Sequence, residues 1–285
     1  MKVLLNILFL SIVLPCCSIN ENPPEAQSGF IRFKCSIDNE PTKSFTYMAN
    51  GVIAIIYAFN ENSILYTVGD TPVTACSTGN GELLTNNTLT LPDGIYDFYS
   101  LSCNSSITPS LNICQGYSDQ PENGIDYLWA YARQIDLSHG RDVYLNYRHI
   151  ACKVRVTVSA GENVTSLSIN DIQCTHPSSN GVALDLCQGK FSPSQSVESF
   201  STIPGSGNSR TFIVLPCISP INIFVLLDAN IDGEYKSGRR FQAIVDSNLE
   251  GGNFYDITLT LNSDNTYTTT FDKKEWETIS ETITY

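Results

Sequence analysis

The stretch Tyr144–Ser159, YLNYRHIACKVRVTVS, changes apolar phase in its middle. Upstream, Val143, Leu145 and Tyr147 fall on odd positions. Downstream, Ile150, Cys152, Val154, Val156 and Val158 fall on even ones, against Ala151, Lys153, Arg155, Thr157 and Ser159. Alternation with period two marks a strand with one buried face, because successive side chains point to opposite sides. A strand cannot reverse its buried face midway without a bulge or a passage from one sheet to another. The reversal between Tyr147 and Ile150 is therefore expected to be the handover between two β domains, residues 29–148 and 149–285.

Working outward, the same period recurs. Ile31, Phe33, Cys35 and Ile37 alternate with Arg32 and Lys34 and predict a first strand, and Val52–Phe59, VIAIIYAF, carries no charge and predicts a central one. Ile64–Val68 and Ile95–Leu101 read as further strands, the second entered through the turn Pro92-Asp93-Gly94. Ile125–Ile135 fits helix and strand spacing alike, and its neighbours favour a strand. Beyond the handover, Val164–Ile172 and Val182–Leu186 read as paired strands flanking a turn-rich segment, followed by Thr211–Leu215, Ile221–Leu227, Phe241–Val245 and Phe254–Leu261. Short strands separated by Gly, Pro and Asn predict an all-β fold, and a chain of 285 residues, 42% apolar, has enough material for two cores.

The formal charge of −13 repels phosphate backbones and argues against nucleic-acid binding. At the front, Met1–Ser18 has one Lys, a mainly apolar run to Leu14, and then Pro15-Cys16-Cys17. This reads as a secretory signal over residues 1–16 whose end resembles a bacterial lipobox, making Cys17 the acylated first residue. The plain alternative is an ordinary signal peptide that happens to end near cysteines. Residues 17–28, polar and proline-rich, read as a linker. Eight further cysteines lack zinc spacing, so no metal site is expected; in an exported chain their even number permits disulfides, while Cys35 and Cys152, in phase with apolar neighbours, suit buried thiols equally well.

Other sites read as structural. Asp228–Gly233, DANIDG, copies the start of a calcium loop, but Arg239 stands where a bidentate Glu is needed, and an Asp-Gly hairpin turn explains it better. The three histidines are scattered, and His149, at the phase reversal, suits packing or a hydrogen bond. No nucleophile elbow or phosphate loop occurs, so neither catalysis nor a cofactor is expected.

A set of segments carries a family resemblance. In order these are LPDGIYDFY (Leu91–Tyr99), DYLWAYA (Asp126–Ala132), VYLNYRHIACKVRVTV (Val143–Val158), VTSLSINDI (Val164–Ile172), GVALDLCQGKFS (Gly181–Ser192), FIVLPC (Phe212–Cys217) and GGNFYDITLTL (Gly251–Leu261). Together they resemble the fimbrillin family, lipoprotein precursors of type V pili on Gram-negative anaerobic bacteria. Cys152 and Cys217 depart from the family's usual small or polar residues.

The resemblance implies two tandem transthyretin-like β-sandwiches, no enzymatic activity, and export to the outer membrane on a palmitate-bearing Cys17. It further implies assembly with other pilus subunits by strand exchange. A trypsin-like protease removes the first strand, and a C-terminal strand of the next subunit fills the gap, by the general physics of β-augmentation. Lys43, in the loop after the first strand, is then the candidate processing site. In the tail KEWETISETITY (Lys274–Tyr285), Ile279, Ile283 and Tyr285 share one phase, interrupted by Glu281, and suit either a donor strand or a terminal edge strand. Trp276 is expected to pack on the second domain. The function expected is a fimbrial component, shaft, tip or anchor, supporting adhesion at the cell surface. The alternative is a non-polymerising outer-membrane lipoprotein that binds a glycan or host ligand.

Overall fold

The computed structural model describes residues 29–39, 44–264 and 266–276, and every regular element among them is a strand. The first half contributes β1 (Gly29–Phe30), β2 (Arg32–Asn39), β3 (Ser44–Thr46), β4 (Ile53–Asn60), β5 (Val73–Ser77), β6 (Glu82–Thr85), β7 (Thr90–Leu91), β8 (Ile95–Ser102), β9 (Ile113–Cys114), β10 (Tyr117–Ser118), β11 (Leu128–Asp136) and β12 (Asp142–His149). The second contributes β13 (Cys152–Ala160), β14 (Val164–Pro177), β15 (Leu184–Asp185), β16 (Lys190–Phe191), β17 (Val197–Thr202), β18 (Ser209–Val214), β19 (Ile221–Ile231), β20 (Glu234–Val245), β21 (Asn253–Leu261) and β22 (Tyr267–Glu275).

In the first half the sheet runs β12-β11-β8-β4-β5-β6-β2-β3, and a further pairing of β12 with β2 closes it on itself. Inside the ring lies a core that includes Ile31, Phe33, Ile56, Phe98, Leu145 and Tyr147. The second half stacks two four-stranded sheets, β18-β13-β21-β22 and β17-β14-β19-β20, around a core that includes Val154, Val156, Ile223, Val225, Ile257 and Leu259. The chain leaves the first ring at His149 and enters the second half's sheet at Cys152. The phase reversal in the sequence is this change of sheet. Odd positions of β12 face the first core and even positions of β13 the second, while Ile150 and Ala151 between them are buried in a third.

That third core lies between the halves and draws Tyr57, Tyr99, Tyr127 and Trp129 from one side and Leu184, Leu186, Phe191 and Leu215 from the other. A small sheet, β16-β15-β10-β9, takes two strands from each half. The Trp129 indole donates to the Leu186 carbonyl at 2.9 Å and lies flat over Gly189, where a Cβ would come within 2.2 Å of the ring. Gly124 N–H donates to the Ile213 carbonyl, and Leu215 N–H to the Asn123 side chain, both at 2.9 Å.

Three expectations need correction. Ile64–Val68 is not a strand: after Asn62, at φ 57°, the segment crosses the surface with Leu65 and Tyr66 exposed, and Thr67 alone bridges to Phe59. Val182–Leu186 does not pair with β14; its apolar positions point into the third core, and its strand β15 pairs with β10 and β16. The turn-rich segment between the two expected strands, Thr175–Asn180, turns only in its second half, because β14 continues through Pro177 against β17. The Asp232-Gly233 reading holds as a hairpin. The two residues join β19 to β20 with φ of 49° and 78°, the paired positive values of a type I′ turn.

Candidate assembly site at the first strand

β2 folds where it does because one of its faces is apolar. Ile31, just before it, and Phe33, Cys35 and Ile37 within it are all buried, while Arg32, Lys34 and Ser36 face outward. Burying Ile31, Phe33 and Ile37 contributes on the order of 5–9 kcal/mol together, an upper figure because the unfolded chain already hides some area.

Both edges of β2 are paired. One edge runs parallel to β12 from Arg32↔Asp142 to Tyr147↔Ile37. The other meets β6 at Phe33↔Leu83 and Lys34↔Glu82, then β3 at Ile37↔Thr46 to Asn39↔Ser44. Cross-strand side chains reinforce each contact. Arg32 Nε lies 2.5 Å from Asp142, Lys34 Nζ 2.6 Å from Glu82, and Ser36 Oγ donates to Asn146 Oδ1 at 2.6 Å. The bond to Glu82 holds the Lys34 ammonium above its ordinary pKa, and burial pushes the Cys35 thiol up. Exposed ion pairs of this kind are screened by solvent and add little, so the apolar face and the backbone ladder hold the strand.

The entry to β2 has its own clamp. Arg141 donates to the Leu91 carbonyl at 2.9 Å and to Asp93 at 2.5 Å, and its side chain lies so close to Gly29 that a Cβ there would meet Nε at 2.7 Å. The Pro92-Asp93-Gly94 turn was legible in the sequence; its partner Arg141 was not, since 48 residues separate them.

Other sequence-derived site residues fall elsewhere. Cys17, Lys43, Ile279, Ile283 and Tyr285 lie outside the described residues. The first residues of the tail, Lys274 and Glu275, belong to β22, an edge strand paired along its length with β21. Trp276 follows it and is buried in the third core rather than on the second half alone. Its ring stacks on His149 at 4.0 Å and 8°, and the Trp276 backbone N–H donates to the Gly252 carbonyl at 3.0 Å. His149 Nδ1 in turn lies 2.7 Å from Asp126 Oδ1, and Asn104 donates to the other carboxylate oxygen at 2.8 Å. The histidine thus has the packing and hydrogen-bonding role expected of it. His149, Gly252 and Trp276 line a cleft of about 640 Å³ at the seam of the halves.

All eight cysteines of the described residues are free thiols, with Cys35, Cys152, Cys174 and Cys217 buried. Burial raises their pKa values, that of Cys174 to about 12. They pack as small hydrophobes.

A fimbrillin-like family model matches residues 48–284, from just after β3 through the two-sheet second half. The chain belongs to the fimbrillin-like family. Among solved structures, this fimbrillin-like chain is similar to a candidate cell adhesion protein from Bacteroides uniformis. The TM-score is 0.62 at 15% identity, over 87% of this chain and 98% of that one. A candidate cell adhesion protein from Bacteroides fragilis gives 0.55 at 17%, over 90% and 100%. The tip fimbrial protein Mfa3 from Porphyromonas gingivalis gives 0.50 at 8%, over 87% and 100%. At these identities the structures share the fold. No curated protein matches the chain in sequence.

Proposed function

We propose that this fimbrillin-like protein is a surface fimbrial subunit, built as two tandem transthyretin-like sandwiches (residues 29–148 and 149–285), which assembles with other subunits by exchange of its first strand. The signal peptide spans residues 1–16, the lipid sits on Cys17 and holds the precursor on the outer membrane, and residues 17–28 form the tether. Cleavage after Lys43 frees β2. A C-terminal strand of another subunit, presenting Ile279, Ile283 and Tyr285, then takes its place.

The observation that carries this reading is the position of β2. It is the first strand of the ring in chain order, preceded among the described residues only by the two-residue β1 on β7. Its withdrawal uncovers the edges of β6 and β12 and the sites of Ile31, Phe33, Cys35 and Ile37 together. Unpaired edges and an emptied apolar groove bind an incoming strand strongly. The test is treatment of the purified chain with a trypsin-like protease. SDS-resistant ladders that vanish on removal of residues 277–285 support exchange. A cut chain that stays monomeric refutes it.

A second reading rests on the same ring. While β2 is retained, the first half has no free groove, and the protein acts unpolymerised, as a tip or anchor or as a lipoprotein binding a ligand at its surface.

A further inference from the structure

The outward face of β2 carries a feature that strand exchange does not use. A cavity of about 630 Å³ opens there, lined by Lys34, Ser36, Tyr47, Asn80, Tyr144 and Asn146, among others. Its size is within the ~300–1,000 Å³ typical of small-ligand pockets. Tyr47 and Tyr144 expose 59% and 65% of their surface, and both rings border the same opening. Single exposed aromatics are ordinary on any protein; two on one cavity with a polar floor are not.

The floor is chemically specific. The register places Tyr144 beside Lys34, and Lys34 beside Glu82, in one row across β12, β2 and β6; Asn146 and Ser36 form part of the next row. Lys34 and Glu82 neutralise each other at 2.6 Å, so the cavity does not select a strongly charged ligand. Amide, hydroxyl and carboxylate groups exclude a purely apolar one. Gly81 fixes one rim. It sits at φ +82°, and a Cβ there would come within 2.7 Å of the Tyr47 ring.

We propose that this cavity binds a neutral saccharide. A pyranose offers an apolar face of C–H groups and a rim of hydroxyls. The first suits the two tyrosine rings, rigid amphipathic surfaces that lose little entropy on contact, and the second suits the amide, hydroxyl and carboxylate groups between them. This rests on the second reading and deepens it by naming a ligand class and a place for it; because Lys34 and Ser36 belong to β2, the site is a property of the chain that retains that strand.

The experiment screens the purified full chain on a printed array of neutral, sialylated and sulfated oligosaccharides, then titrates the best-bound neutral oligosaccharide by calorimetry. Tyr144→Ala and Tyr47→Ala each weaken binding by roughly tenfold or more, the loss of a single stacking contact. Tyr144→Phe keeps binding within about threefold, because the ring remains. Tyr66→Ala, an exposed tyrosine away from the cavity, changes nothing, and unchanged thermal melting shows that the variants fold. No neutral oligosaccharide bound, or binding that survives both alanine substitutions, overturns the proposal. Failure here leaves the protease ladders untouched, and failure of the ladders leaves this binding untouched.

Discussion

β2 and β13 occupy equivalent places in the two halves and differ in one respect that decides their behaviour. Each is the first long strand of its half, and each pairs in parallel with a late strand, β2 with β12 and β13 with β21. Each is flanked on its other edge by an antiparallel strand, β6 or β18. Even the cross-strand ion pair recurs, Arg32 with Asp142 and Arg155 with Asp256. However, β13 is tied at both ends, to β12 through two buried residues and to β14 through a tight turn, so it cannot leave without unfolding its neighbours. β2 is preceded among the described residues only by the two-residue β1, held to β7 at Gly29↔Leu91 and Phe30↔Thr90. On the proposed function, the same pairing pattern is a permanent seam in one half and a detachable one in the other.

The strongest way to break this comparison is to delete residues 29–39. The loss of apolar burial, on the order of 5–9 kcal/mol, is comparable with the whole stability of a typical domain, so the first half should lose its cooperative transition in calorimetry. A synthetic peptide spanning Ile31–Asp38 added in trans should restore it. No peptide rescue would mean that β2 is not a separable strand.

Next in size is Phe33→Ala, expected to cost about 3–5 kcal/mol in denaturant unfolding, since the ring is buried against Phe98 at 5.8 Å. The thiols then sharpen the contrast kinetically. Cys35 in β2 and Cys152 in β13 are both buried, with raised pKa values. At pH 8 a thiol reagent should label Cys76 and Cys114 at once, Cys35 at the rate of local detachment, and Cys152 only on global unfolding. Equal rates for Cys35 and Cys152 would erase the distinction between the strands.

The smallest effect concerns acid. The hydrogen bond from Arg155 holds the Asp256 carboxyl below its ordinary pKa. Its contribution is therefore present above the unfolded carboxylate range and is lost as pH falls through the depressed folded value. Asp256→Asn should flatten this part of the acid-unfolding curve, by less than about 1 kcal/mol given the pair's partial exposure.

Much of this was legible in the sequence where one face of a strand is buried and the other wet. β2, β12, β13, β19 and β21 all announce themselves by strict alternation, and the phase reversal located the passage between sheets. β17 and β22 were not foreseen for the converse reason: VESFST and YTTTFDKKE are edge strands exposed over nearly their whole length, and their partners impose no apolar period. Ile64–Val68 misled because five residues are too few to separate alternation from chance. What no local pattern could reveal is pairing at a distance. The closure of the ring by β2 on β12 joins residues 110 apart, and the saccharide-binding cavity proposed here exists only because that closure sets Lys34 and Ser36 beside Tyr144 and Asn146.

The two buried residues between β12 and β13 also have a mechanical meaning. Ile150 and Ala151 run through the third core with no slack, and Trp129, Asn123 and Gly124 stitch the halves together on either side of them. A pull along the chain therefore passes from one half to the other through packed side chains rather than through a hinge. On the proposed function, bending of a filament would then arise at the joints between molecules rather than between the two halves of one.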